Sequence, residues 1–268
     1  MNTVDCFFYE WITELLEKES QEDRTGVGTR SIFGQSAYFC DVADNFPILT
    51  LKKTPFRGAL HELHWFLTGS SNINDLHPSV RHWWEPWALE DGDVGPIYGS
   101  QYHRNNQFWD MIVGLKVNPH SRRHVISLWN TDDIDRGVLP PCHGTVIQFH
   151  VEDNTLHLQT YQRSADLLVG LPINIVSYAS LLLMVAKSCG YDPGDLHYTI
   201  GNLHLYENHV EVAKHLINVK GWSALDAPMI DFDQVPSVSD FVESDGVSLF
   251  PKLIGYEPLP SITLPVAV

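Results

Sequence analysis

The stretch from Leu171 to Gly190 restricts the fold more than any other part of this sequence. Leu171-Pro172-Ile173-Asn174 opens a helix, because proline suits a first turn, where its missing N–H leaves no bond unmade. From Ile175 to Ala186 apolar side chains recur on every face and not along one stripe, and Gly190 supplies a stop. A helix that is apolar all round must be wrapped on all sides. The pattern therefore predicts a central helix over 174–189 with the other elements packed about it.

The flanking segments supply those elements. Phe7, Phe8, Trp11, Ile12, Leu15 and Leu16 fall near helical spacing over 4–19, and 56–67 reads as a helix carrying His61, Glu62 and Trp65. Strands are expected over 30–40, 125–129 and 145–151, from Leu156 to Gln162-Arg163, and over 198–202, with a helix following over 207–218. The proline-punctuated tail, 221–268, is expected to hold a short strand near 249–254. No repeat or linker interrupts the chain, so the reading is one α+β domain over 1–268.

Composition narrows the function classes. Cys6, Cys40, Cys142 and Cys189 form no CxxC pair, which argues against a metal site or a disulfide scaffold and fits a reducing cytoplasm. A formal net charge of −16 disfavours DNA duplex binding, which needs basic patches to displace counterions. No apolar run reaches about 18 residues and no basic-then-apolar leader opens the chain, so neither membrane insertion nor export is expected.

Chemistry concentrates around Leu139-Pro140-Pro141-Cys142-His143. Two prolines stiffen the backbone just before a thiol, which suits a positioned nucleophile, although a buried structural cysteine gives the same pattern. Four arginines, Arg24, Arg122, Arg123 and Arg163, stand in polar turns. They fit either one phosphate pocket, which arginine grips in bidentate fashion, or four separate surface ion pairs. Glu62 lies in an apolar helix, where a carboxylate is rare unless paired or functional. Trp83, Trp84 and Trp87 serve either a core or a platform for a flat heterocycle. The loop Asp23-Arg24-Thr25-Gly26-Val27-Gly28 is either an anion loop or a plain turn.

Taken in order, these motifs resemble the thymidylate synthase family. The resemblance rests on Asp23-Arg24-Thr25-Gly26, His61-Glu62-Leu63, Gly92-Asp93-Val94-Gly95-Pro96-Ile97-Tyr98-Gly99 and Ser121-Arg122-Arg123. It continues through Pro140-Pro141-Cys142-His143, Gln162-Arg163-Ser164, Gly170-Leu171-Pro172-Ile173-Asn174, His204-Leu205-Tyr206 and the closing Pro265-Val266-Ala267-Val268. It implies a three-layer fold around a bent mixed sheet, a homodimer, and transfer of a one-carbon unit from 5,10-methylenetetrahydrofolate to C5 of dUMP. By the same resemblance Cys142 is the thiolate that adds to C6 of the base, its pKa lowered by the arginines.

The other roles follow by position. Arg24, Arg163 and Ser164 would bind the nucleotide phosphate, with Arg122 and Arg123 reaching it from the partner subunit. His204 and Tyr206 would hold the sugar 3′-hydroxyl, and Asn174 would read O4 and N3 of uracil, where cytosine-using relatives carry Asp. Glu62 would organise proton movement and Tyr98 would help remove the C5 proton. Trp84, Trp87, Leu139, Asp166 and Gly170 would form the folate pocket, Asp166 binding the pterin, and Val268 would close over it.

Six positions depart from the family pattern. Tyr102-His103 stands where Trp-Arg is usual, Pro55 replaces a histidine, Ile173 a phenylalanine, and Asn202 an aspartate, while His64 occupies an apolar position. These changes cluster on the folate side and open a second reading, a dUMP (or dCMP) hydroxymethylase like those of viruses with modified DNA. In that reading water, ordered by His64 and His103, captures the transferred carbon in place of hydride, and the protein works in a host cytoplasm. Readings from other classes are a non-catalytic nucleotide or RNA binder and a hydrolase pairing Cys142 with His143. The intact residue set argues against the first, and adjacent residues on a strand face opposite ways, which argues against the second.

Overall fold

In the computed structural model, which describes residues 2–219 and 225–266, helix α1 (Thr3–Leu16) precedes strand β1 (Thr29–Phe39). Helices α2 (Phe56–Thr68), α3 (Pro78–Arg81), α4 (Tyr98–His103) and α5 (Gln107–Val117) follow. Strands β2 (Val125–Ile126), β3 (Val146–Glu152) and β4 (Thr155–Asp166) lead into α6 (Gly170–Cys189). The chain then forms β5 (Asp192–Tyr206), α7 (Val210–Ile217) and α8 (Val238–Glu243).

The central helix forms as its composition requires. α6 spans 20 residues, with Ile175 to Ala186 buried without a break. Gly190 ends it in the left-handed region at φ 79, where its N–H reaches Ala186 O, a conformation that only glycine adopts without strain. α6 packs on β4 and β5 with one side and on α2, α5 and α8 with the other, giving a layer of sheet, a layer of α6 and a layer of outer helices. Among the described residues it is the one helix long and apolar enough to cross a membrane, and its burial inside protein identifies it as a core helix.

The sheet is mixed, in the order β1-β5-β4-β3-β2. Only β4 and β5 run parallel, and α6 is the crossover between them. Residues alternate in and out: Ile147 and Phe149 face α6, while Val146, Tyr161 and Val125 lie exposed on the other face. Phe33, 81% exposed, lies on the edge strand β1.

Several boundaries differ from expectation. The strand predicted over 125–129 stops at Ile126, because side chains take over the ladder: Ser127 N donates to Gln107 Oε1 (3.0 Å), and Ser127 O accepts from Gln107 and Arg104. The strand predicted over 198–202 is 15 residues long, extended at both ends by partners on each side that a local pattern does not reveal. No strand forms over 249–254; Ile254 makes a single bridge to Met229. The first helix ends at Leu16, and the helix expected from Glu207 begins as a short 3₁₀ turn before α7. α4 and α5 were not anticipated, although Phe108, Met111, Ile112 and Leu115 carry a helical stripe.

Leu182 is fully buried in α6, so Leu182→Ala is expected to destabilise the fold by about 2–5 kcal/mol. Urea denaturation should show a lower midpoint with an unchanged slope.

Candidate active site

Topology gathers the candidate residues. Because β4 and β5 are parallel, their C-terminal ends, at Asp166 and Tyr206, share one edge of the sheet. The antiparallel neighbours bring the starts of β1 and β3 to the same edge, Thr29 opposite Tyr206 and Val146 opposite Tyr161. The Cys142 loop, which enters β3, and the Arg24 loop, which enters β1, therefore meet the ends of β4 and β5.

Cys142 is half-buried and held from three directions. Its N–H donates to Tyr98 Oη (2.9 Å), its carbonyl accepts from Arg163 N (2.9 Å), and its Sγ lies 3.1 Å from the same Tyr98 hydroxyl. The Arg163 side chain braces the prolines, donating Nε to Pro141 O (3.1 Å) and Nη2 to Pro140 O (3.2 Å), with its guanidinium over Trp129. Ser164 N also reaches Cys142 O. Trp129 escaped the sequence reading because it looked like the end of a strand.

The electrostatics correct one expectation. Burial pushes the Cys142 thiol up, while the Tyr98 hydroxyl and the Arg163 charge pull it down without prevailing. Arg163 alone touches this loop. Arg122 and Arg123 sit exposed on the turn before β2, where His124 O accepts from Phe149 N. That contact sets Arg123 level with His150, four residues past Val146 and so roughly 13 Å away from the thiol end.

Glu62 is buried in α2, 8% exposed, and its Oε1 accepts from Trp84 Nε1 (2.8 Å). Burial raises its carboxyl to about 7, the indole hydrogen bond acting the other way. Trp84 and Phe66 pack against Tyr98, which joins Glu62 to the thiol through one aromatic cluster. Asn174, 6% exposed in the first turn of α6, makes no side-chain hydrogen bond among the described residues. Gly170 opens the same helix beside Asn174 Nδ2, and Leu139 is half-buried in the proline loop. Asp166 Oδ1 accepts from Leu168 N (3.0 Å) and Val169 N (3.2 Å), which aims the carboxylate across the strand pair at His204.

His204 Nδ1 meets Asn202 Oδ1 at 3.1 Å, and burial pushes the imidazole down, so it is neutral at pH 7. Tyr206 stands edge-on to His204, and the exposed Arg24 is close enough to ease the rise of the Tyr206 hydroxyl, which reaches about 12. Trp87 is half-buried, and its indole Nε1 has no hydrogen-bond partner among the described residues. Val268 lies outside the described residues, but the tail before it is tied down where His209 Nε2 meets Pro265 O (2.8 Å).

The departing residues resolve mostly into structure. His64 Nε2 meets Ser244 O (3.1 Å) and His103 Nε2 meets Leu67 O (2.8 Å), so one nitrogen of each ring is engaged with a backbone carbonyl. Pro55 caps α2 and Ile173 packs on the core. His143, adjacent to the thiol, is buried and turned to Tyr178 Oη (2.8 Å), while Cys142 lies in a loop before β3. The two residues do not form a nucleophile–base pair, though loop geometry and not strand alternation separates them.

The raised Glu62 carboxyl makes a stability prediction. Its ordinary value is 4.5, so the protonated form is favoured by folding, and the contribution is full below pH 4.5 and lost as pH rises through 7. Glu62→Gln, which keeps the acceptor for Trp84, is expected to be more stable than the parent by about 3 kcal/mol at pH 8 and equal to it at pH 4. Chemical denaturation at both pH values checks this.

Comparison with known proteins agrees with this arrangement. The family described as Thymidylate synthase matches residues 7–268. Thymidylate synthases from Buchnera aphidicola subsp. Acyrthosiphon pisum, strains APS, Tuc7 and 5A, are each 42% identical to this chain, covering 90% of it and 91% of their own length. A match that runs nearly end to end, on a mixed sheet that gathers the thiol, arginine and histidine motifs at one edge, means that the chain belongs to the thymidylate synthase family.

Proposed function

We propose that this protein converts dUMP to dTMP with 5,10-methylenetetrahydrofolate, leaving dihydrofolate, as one catalytic domain over 1–268. The observation that carries the reading is the Cys142 loop: a thiol within hydrogen-bond reach of a buried tyrosine, its backbone clamped by Arg163.

Cys142, as thiolate, adds to C6 of uracil and so turns C5, a poor nucleophile, into the carbon of an enolate. Asn174 reads the base: its amide donates to O4 and accepts from N3–H, and its lack of a protein partner leaves both groups free. Arg24, Arg163 and Ser164 receive the phosphate, and His204 and Tyr206 the 3′-hydroxyl. Phosphate enters as a counter-charge to Arg24, while Arg163 divides its donors between ligand and loop. C5 would then bond to the one-carbon unit that the folate supplies; Tyr98 helps remove the C5 proton by ordering the water that takes it, and the C6–S bond breaks to release Cys142 as thiolate. Glu62, near 7, can hold or release a proton at neutral pH beside this chemistry.

The residues present fit a folate. Trp87 Nε1 is a buried donor without a partner, and Asp166 keeps its second oxygen free while the first is fixed by backbone amides, a donor and an acceptor for a flat, polar-edged ring. Trp84, Trp87, Leu139, Asp166 and Gly170 would hold it, and Val268 would exclude water. The bound co-substrate supplies the one-carbon unit and the hydride.

The assembly we propose is a homodimer joined through the uncovered sheet face that carries Val125, Val146 and Tyr161. It would direct Arg122 and Arg123, remote from their own thiol, to the partner's phosphate. Four free cysteines support a reducing, cytoplasmic setting. Hydroxymethylation remains the alternative outcome at the same thiol, supported by Asn202 beside His204 and weakened by the engaged rings of His64 and His103.

Incubation with dUMP and methylenetetrahydrofolate, followed by mass analysis, should yield dTMP and dihydrofolate; hydroxymethyl-dUMP with tetrahydrofolate would replace the reading. Cys142→Ser is expected to lower turnover by roughly a thousandfold or more while calorimetry still registers dUMP binding. Asn174→Asp should cut kcat/KM for dUMP by about a hundredfold and shift preference toward dCMP, seen in competition between the two nucleotides.

A further inference from the structure

We propose that Tyr178 is a positioning residue for the Cys142 thiol, acting through the rings of His143 and Tyr98. The inference rests on the reading that Cys142 is the reacting group.

The contacts form one continuous row. Tyr178 Oη lies 2.8 Å from His143 Nδ1. The His143 ring stacks on Tyr98 with centroids 4.2 Å apart and planes 18° from parallel. Tyr98 Oη then meets Cys142 at both N and Sγ. Tyr98, His143 and Tyr178 are all buried, so water does not compete for these bonds.

The chemistry of a hydroxyl explains why the row matters. A phenol has one proton to give and two lone pairs to accept with. Tyr98 Oη accepts the Cys142 N–H and keeps its own proton and a second lone pair for sulfur; when the sulfur is a thiolate the proton points at it and stabilises that form. That alignment depends on the tilt of the Tyr98 ring. Phe66 stacks on Tyr98 (4.6 Å) and His143 does so as well (4.2 Å). Phe66 is held only by packing, whereas His143 is pinned in plane by a hydrogen bond. Burial lowers His143 to about 3, so it stays neutral and its tautomer follows from the bond at Nδ1.

One feature of the sequence serves this row and nothing else described above. Gly144 sits at φ 59, and a Cβ there would collide with the Tyr178 hydroxyl, so glycine lets that hydroxyl reach His143.

The test is Tyr178→Phe, which removes one oxygen and keeps the ring. Iodoacetamide alkylation of the Cys142 peptide, followed by mass spectrometry across pH, needs no nucleotide and no turnover. The expected result is a higher apparent thiol pKa, with alkylation near pH 8 slowed about tenfold, a shift of one unit. Tyr198→Phe is the control: Tyr198 packs on Tyr178, but its hydroxyl goes to Gln162, so it should lower stability and leave the alkylation profile unmoved. A Tyr178→Phe profile that overlays the parent, or an equal shift in Tyr198→Phe, overturns the proposal. Should Tyr178→Phe fail to fold, Gly144→Ala, whose methyl would displace the Tyr178 hydroxyl from His143, must show a shift in the same direction, and no shift overturns the proposal as well. With dUMP, kcat should fall while KM holds. A parent protein without turnover would sink the proposed reaction but not the alkylation result.

Discussion

The parallel pairing of β4 with β5 is the constraint on which the rest of the molecule depends. Two parallel neighbours cannot be joined by a tight turn, so the chain must cross over, and α6 is that crossover. Its return path lies across the sheet, where it is covered by β4 and β5 below and by α2, α5 and α8 above. The same pairing places the C-terminal ends of both strands at one edge, with the loops before β1 and β3 beside them. Open sheets with parallel strands offer their ligand crevice at those C-terminal ends. Fold and site thus share a single cause.

Desolvation governs the chemistry at that edge. Burial raises Cys142 and Glu62 and lowers His143 and His204, in each case favouring the uncharged form. Arg163 is the cation that leans on the thiol, against the burial that raises it.

The sequence was informative wherever a residue type was out of place. Glu62 in an apolar helix, a thiol behind two prolines and arginines in turns all proved to mark the thiol edge or, for Arg122 and Arg123, a separate exposed turn. It was less informative where function depends on what touches what. Tyr178 reads as one more bulky residue in a buried helix, and Trp129 as the end of a strand. His64 and His103 looked like water-ordering groups, yet they fasten α2 through Ser244 O and Leu67 O. No periodicity distinguishes a histidine that binds a ligand from one that satisfies a carbonyl.

By itself the sequence determined the central helix, the α+β class and the set of chemical groups, because periodicity and residue type are local properties. Tertiary structure alone decided how far β5 extends, where β2 stops and which arginine reaches the thiol, because these follow from partners distant along the chain. It also decided the balance of charge at Cys142. The arginine motifs announced positive charge near the sulfur, but the thiol's state depends on how much water the fold removes around it, and that is a property of packing.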